Sequence, residues 1–210
     1  MKLLLTSLGI GAVPGFVEGA TGRASEGLHL GFIWDAAAAE AEDPEGQWQL
    51  DRLEALGFKA TRILAADATS AANFARTLSQ LDVVYVAGGN SFALLAALRD
   101  NGAGLALVEA VRAGLPYIGM SAGSVVAGSD LEPITLLDDP RVAPTLENYE
   151  GMGMIQQVVV PHADGKLTHY PRSIFERIDR EYGSRLPLLY LDDDEALLVS
   201  GGSIRVVESP

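Results

Sequence analysis

Residues 116–128 read Pro116-Tyr117-Ile118-Gly119-Met120-Ser121-Ala122-Gly123-Ser124-Val125-Val126-Ala127-Gly128. The run through Met120 has the length and apolar content of a buried strand, and Ser124–Ala127 is compatible with a helix. A serine at such a junction sits in a sharp strand–turn–helix elbow. Its flanking glycines let the backbone double back, and its hydroxyl is presented at the carboxyl end of the strand. There the amide of Ala122, at a helix N-terminus, can face a developing oxyanion. The bland alternative is a serine that only caps a helix. The Gly-x-Ser-x-Gly pattern arises by chance in Gly-rich chains, so it is the strand before and the helix after that favour a nucleophile.

Outward from this elbow, short apolar runs alternate with helical patterns, the signature of a mostly parallel sheet covered by helices on both faces. Strands are predicted at 2–8, 28–34, 59–64, 83–87, 116–120 and 156–160. A C-terminal pair, 196–200 and 203–207, is joined by Gly201-Gly202 and predicts an antiparallel edge hairpin. Helices are read from their ends. Asp43-Pro44 offers an N-cap and a first-turn proline for a helix that carries Trp48, Leu50, Leu53 and Leu56 inward and stops at Gly57. Asn90 or Ser91 caps another; further helices run from about Leu105 to Arg112 and from Arg172 to Tyr182. Ala36–Glu42 reads as an Ala-rich surface stretch. With 210 residues and no linker or repeat, residues 1–210 are expected to form a single α/β domain.

Two other segments are expected to meet Ser121. The strand ending at Ala87 delivers Gly88-Gly89-Asn90 to the same sheet edge, where open α/β folds bind ligands. One of its amides, that of Gly89, is expected to complete an oxyanion hole. His162 follows the apolar Val158-Val159-Val160-Pro161 and can act as a general base at near-neutral pH, whereas His29 lies within a strand pattern and His169 in a polar loop. The acid that must orient the imidazole is sought between Ser121 and His162, where Asp130, Glu132, Asp138 and Asp139 stand.

A formal charge of −13 argues against nucleic acid and anionic membranes as partners. The absence of cysteine excludes disulfides and thiolate chemistry and fits a cytoplasmic address. Met1–Leu5 is too short an apolar run for a signal peptide and reads as a buried strand.

Taken together, Gly88-Gly89-Asn90-Ser91-Phe92, Gly119-Met120-Ser121-Ala122-Gly123-Ser124 and Pro161-His162 resemble the peptidase E (alpha-aspartyl dipeptidase) and cyanophycinase family of serine peptidases over residues 80–165. The resemblance implies a three-layer, class I glutamine amidotransferase-like (flavodoxin-like) sandwich. It also implies Ser121 as nucleophile, His162 as base, and Gly89 with Ala122 as oxyanion donors. Hydrolysis of small peptides, above all Asp-Xaa dipeptides, would pass through an acyl-enzyme without metal or cofactor. Leu131-Glu132-Pro133-Ile134 stands where some members have Asp-Met-Pro-Ile. It is similar to the Ser-His-Glu branch and points to Glu132 as the triad acid, with Asp138 in reserve. Gly88, Asn90 and Arg172 are the implied substrate contacts, Arg172 pairing with a substrate carboxylate. A homodimer is the partner expected of this fold.

Two other classes compete. An α/β-hydrolase esterase shares the elbow, but usually holds its histidine near the chain end. A non-enzymatic nucleotide-binding module would use Gly9-Ile10-Gly11 and Gly15, whose spacing departs from the dinucleotide fingerprint and which Pro14 interrupts. Asp192-Asp193-Asp194-Glu195 reads as a solvated turn rather than a cation site.

Overall fold

The computed structural model describes residues 1–38 and 44–210. Among the described residues nine strands form: β1 (Leu3–Thr6), β2 (His29–Ile33), β3 (Lys59–Ile63), β4 (Val83–Val86), β5 (Tyr117–Met120), β6 (Val158–Val160), β7 (Leu188–Tyr190), β8 (Glu195–Ser200) and β9 (Ser203–Glu208). The helices are α1 (Val13–Thr21), α2 (Pro44–Ala55), α3 (Ala71–Leu78), α4 (Ser91–Arg99), α5 (Ala103–Arg112), α6 (Ala122–Ala127) and α7 (Arg172–Tyr182). The main sheet runs β3-β2-β4-β5-β1-β8-β9. Its first five members are parallel, β8 pairs antiparallel with β1, and β9 pairs antiparallel with β8.

Side chains along a strand point alternately to opposite faces, so a strand apolar at every position demands cover on both. β4 is such a strand. Val83 and Tyr85 pack with Phe16 of α1 and Leu53 of α2, whereas Val84 and Val86 pack with Leu95 of α4 and Leu107 of α5. Each full burial of this kind stabilises by roughly 1.5–3 kcal/mol, and the result is the three-layer α/β sandwich with an antiparallel C-terminal edge. Gly201 and Gly202, at φ 59° and 82°, make the edge hairpin turn.

Four local readings are corrected. β6 is not a member of the main sheet; it pairs only with β7, a strand the sequence did not announce, in a separate two-stranded parallel sheet. Trp48 does not point inward but is 44% exposed, with the Arg52 guanidinium 4.5 Å above its ring. Ala36 and Ala37 are buried rather than on the surface, and the proposed cap Asp43, with the rest of 39–43, lies outside the described residues. Pro14 does not break a helix. It stands in the first turn of α1, where a missing N–H goes unnoticed.

The Gly9–Gly11 loop is filled by the chain itself. A Cβ on Gly9 would lie 1.6 Å from the Ser209 carbonyl oxygen, and one on Gly11 2.8 Å from the Pro210 ring. Those glycines admit the C-terminal residues, which removes the basis for a phosphate loop there. No single helix among the described residues is long and apolar enough to cross a membrane.

Candidate active site

The elbow is built by backbone approach. Ser121, at φ 47° and ψ −109°, follows β5 and caps α6, its N–H donating to the Thr6 carbonyl at 3.0 Å. A Cβ on Gly119 would fall 2.5 Å from the Gly123 carbonyl oxygen, and one on Gly123 would fall 2.1 Å from that of Val86. Both glycines are therefore required for the strand and helix to close on each other. Ser124 Oγ reaches the carbonyls of Thr6 (2.7 Å) and Gly119 (2.9 Å) and fastens the turn to β1. Among the described residues only Ser121 and His162 are non-glycine residues at positive φ, a conformation that persists where the surroundings over-determine it.

His162, at φ 63°, comes off the end of β6. Its backbone N–H donates to Ser7 Oγ at 2.8 Å, tying the small sheet to the loop after β1. The residue is 4% exposed, and its imidazole stacks on Tyr170 with centroids 5.4 Å apart. Nε2 lies 2.9 Å from Ser121 Oγ, and Nδ1 lies 2.7 Å from Asp193 Oδ1. A carboxylate only accepts, so Nδ1 carries the proton and Nε2 is left to accept from the serine.

The acid on His162 is Asp193, and this corrects the sequence reading. Glu132 begins a short 3-10 turn, is 46% exposed and stands 3.5 Å from the Arg185 guanidinium. Asp138, the reserve, accepts from the Ser91 N–H at 2.8 Å and the Tyr170 hydroxyl at 3.3 Å rather than from the imidazole. Burial raises its pKa, partly offset by those bonds and by His162 nearby. Asp130 receives the Glu132 N–H, and Asp139 pairs with Arg141 at the surface. Asp193 belongs to the run read as a solvated turn, yet its side chain is 14% exposed. Its carbonyl accepts from the N–H groups of Leu8 (3.3 Å) and Gly9 (2.9 Å), and the Asp194 carbonyl accepts from Ser209 N–H at 2.6 Å. The available signal was position: the run follows β7, as Ser121 follows β5 and His162 follows β6.

A cavity of about 620 Å³ opens over Ser121 and His162, bordered by Trp48, Gln49, Asn90, Asp138 and Tyr170 among others. Gly88 and Gly89 line it too. Gly88 N–H is taken by Gln49 Oε1 at 2.9 Å. Among the described residues the amides of Gly89 and Ala122 have no protein acceptor. Gly89 holds φ 133°, where a Cβ would strike the Ala36 carbonyl oxygen at 2.5 Å. Asn90 Oδ1 caps α4 through the N–H groups of Phe92 and Ala93, and its Nδ2 donates to the Asp139 carbonyl at 3.3 Å. Arg172 starts α7, is exposed and is not among the cavity residues. His169, passed over in the sequence, borders the cavity and meets the Tyr170 ring edge-on at 4.2 Å.

Known proteins share this arrangement of elements. The chain is 31% identical over 199 residues to the uncharacterized peptidase Lin0382 of Listeria innocua, covering 94% of this chain and 92% of that one. It is 40% identical over 129 residues to peptidase E of Streptomyces coelicolor, covering 59% and 51% of the two chains. The crystal structure of a candidate peptidase E protein from Listeria monocytogenes superposes with a TM-score of 0.85 at 28% identity, over 99% of this chain and 98% of that one. A peptidase from an acI-B1 actinobacterium shares the fold at TM-score 0.69 and 20% identity, over 99% of this chain and 87% of that one. The family model for peptidase family S51 matches residues 20–207. The chain therefore belongs to peptidase family S51 and is a peptidase.

Proposed function

We propose that the protein is a serine-type peptidase of small peptides, with Ser121 as nucleophile, His162 as general base and Asp193 as the acid that orients it. The observation that carries this reading is the continuous line from Ser121 Oγ through the two ring nitrogens to Asp193, at 2.9 and 2.7 Å. Attack of Oγ on the scissile carbonyl passes the hydroxyl proton to His162 Nε2. The imidazolium so formed is held by the Asp193 carboxylate. The oxyanion is received by the amides of Gly89 and Ala122. Collapse of the tetrahedral adduct gives the Nε2 proton to the leaving amine and leaves an acyl-Ser121. Water, deprotonated by the same nitrogen, then releases the acid and restores the serine.

A cavity of about 620 Å³ is within the roughly 300–1,000 Å³ of small-molecule sites and supports short substrates over folded proteins. The narrower Asp-Xaa preference leans on Arg172, which stands outside the cavity. No Arg or Lys is among the described residues that border it, so an aspartate side chain finds no counter-charge there. We therefore carry forward a small-peptide dipeptidase without assigning that preference.

The test is a dipeptide-library hydrolysis screen, with a short-chain ester panel beside it, comparing native protein with Ser121→Ala. Hydrolysis of dipeptides by the native form alone is expected. Turnover of esters with none of any peptide would overturn the peptidase assignment of this site.

A further inference from the structure

The cavity above the nucleophile is one-sided in charge. Asp138 and Asp139 border it, and among the described residues no Arg or Lys does, the His162 and His169 imidazoles being the basic groups there. Of the two carboxylates, Asp139 is turned to Arg141, three of whose hydrogen bonds it accepts through its side chain at 2.8–3.1 Å. Asp138 has no basic partner of that kind. It is fixed by neutral donors, the Ser91 N–H and hydroxyl and the Tyr170 hydroxyl, and a carboxylate with about four acceptor positions has room for one more.

Its location relates it to the reacting atoms. Ser91 stands two residues beyond Gly89, and a Cβ on the preceding Gly88 would lie 3.3 Å from the Ser121 Cβ. Tyr170 bridges the same distance from the other side, its ring stacked on His162 and its hydroxyl on Asp138. A carboxylate hydrogen-bonded only by neutral groups in a partly desolvated wall has just the nearby His162 to offset its charge, and burial has moved its pKa upward. A cation docked there would supply the missing charge.

Resting on the serine-peptidase reading above, we propose that Asp138 is a specificity-determining residue that receives a cationic nitrogen of the substrate, so that the enzyme selects peptides carrying a positive charge beside the scissile bond. An α-ammonium group or a lysine-type side chain presents the same chemistry, and the experiment separates them.

Binding is measured by calorimetry on Ser121→Ala protein, where turnover cannot interfere, with three probes: alanyl-alaninamide, its Nα-acetyl form, and Nα-acetyl-lysyl-alaninamide. One or both cationic probes are expected to bind at least about 30-fold more tightly than the neutral one, the scale on which an enclosed charge pair is lost. Tighter binding of the first alone assigns the chain terminus, and of the third alone a basic side chain. The gap is expected to vanish in Ser121→Ala/Asp138→Asn and to persist in Ser121→Ala/Asp139→Asn. Equal binding of all three probes, or a gap that follows Asp139, would overturn the proposal, and the first of these outcomes needs no variant at Asp138 to fold. Labelling of native Ser121 by a fluorophosphonate runs in parallel. Labelling without charge selectivity defeats this inference alone, and selectivity without labelling defeats the nucleophile assignment alone.

Discussion

Asp193 Oδ1 stands 2.7 Å from His162 Nδ1 across 31 residues of chain, and the loop that carries the carboxylate is pinned by the amides of Leu8 and Gly9 at the end of the first strand. Ser7, beside Leu8 in the segment after β1, holds the His162 backbone. The imidazole and its acid thus share one anchor, so their relative position is set by β1 and not by the segment that joins them.

Exchange of Asp193 for Asn replaces an acceptor by an amide and allows the wrong imidazole tautomer. A fall in kcat of about 10⁴-fold is expected, the scale of the corresponding change in serine proteases. Glu132→Gln, by contrast, alters a surface pair with Arg185 and is expected to leave kcat within a few-fold, since exposed pairs contribute about 0–1 kcal/mol. Steady-state kinetics on the two variants decide between the acids, and the reverse ranking would remove Asp193 from the site.

Gly123→Ala is the sharpest test of the elbow. Its Cβ would be driven to 2.1 Å from the Val86 carbonyl oxygen, where backbone and not a flexible side chain must give way. Destabilisation of about 3 kcal/mol or more is expected in urea unfolding, together with loss of fluorophosphonate labelling at Ser121. Gly19, a glycine with open space around it in the helix α1, is the control: its exchange for Ala should be neutral or stabilising by up to about 1 kcal/mol.

Ser7→Ala leaves the His162 amide without its acceptor in a buried place. Because the hydroxyl lies 3.5 Å from Nδ1 as well, Ser7 acts as a positioning residue for the imidazole. A drop in kcat of roughly 10-fold, corresponding to about 1–3 kcal/mol for an unsatisfied buried donor, is expected with KM little changed. A proportionate rise in KM with kcat intact would contradict that role.

Asp35 is buried and accepts the amides of Ala65 and Ala66 at 2.9 Å each. Burial raises its pKa, with the Asp67 charge adding to the effect. A carboxyl whose folded pKa exceeds its unfolded value contributes stability that is fully present below the ordinary value of 3.8 and is lost as pH rises through the folded pKa. Asp35→Asn removes that titration. The unfolding free energy of native protein relative to the variant should therefore decline as pH is raised across the acid range and then level off, as paired urea melts would record. A difference that increases with pH would reverse the assigned sign.

The strands of the main sheet were legible because apolar, β-branched runs leave few other options, and Ser121 and His162 because each ends such a run. The acid was not. Four consecutive acidic residues have the composition of a solvated turn, and nothing local reveals that the second turns inward while its backbone is gripped by Leu8 and Gly9. Chain order points to an acid between Ser121 and His162, whereas the fold sets the acid behind a strand end. β7 is not legible because three half-buried residues after Pro187 carry too short a pattern, and without β7 the acidic run behind it has no strand end to mark it. Arg172 attracted attention as a cation near the base, but its position at the first turn of α7 turns it to solvent.

The missing side chain at Gly9 makes room for Ser209, whose amide in turn holds the Asp194 carbonyl. A purification tag or reporter fused directly behind Pro210 would tug on the turn that presents Asp193 to His162. Attachment at Met1, which is 45% exposed, spares that turn, so two fusions differing only in which end bears the handle should show unequal specific activity.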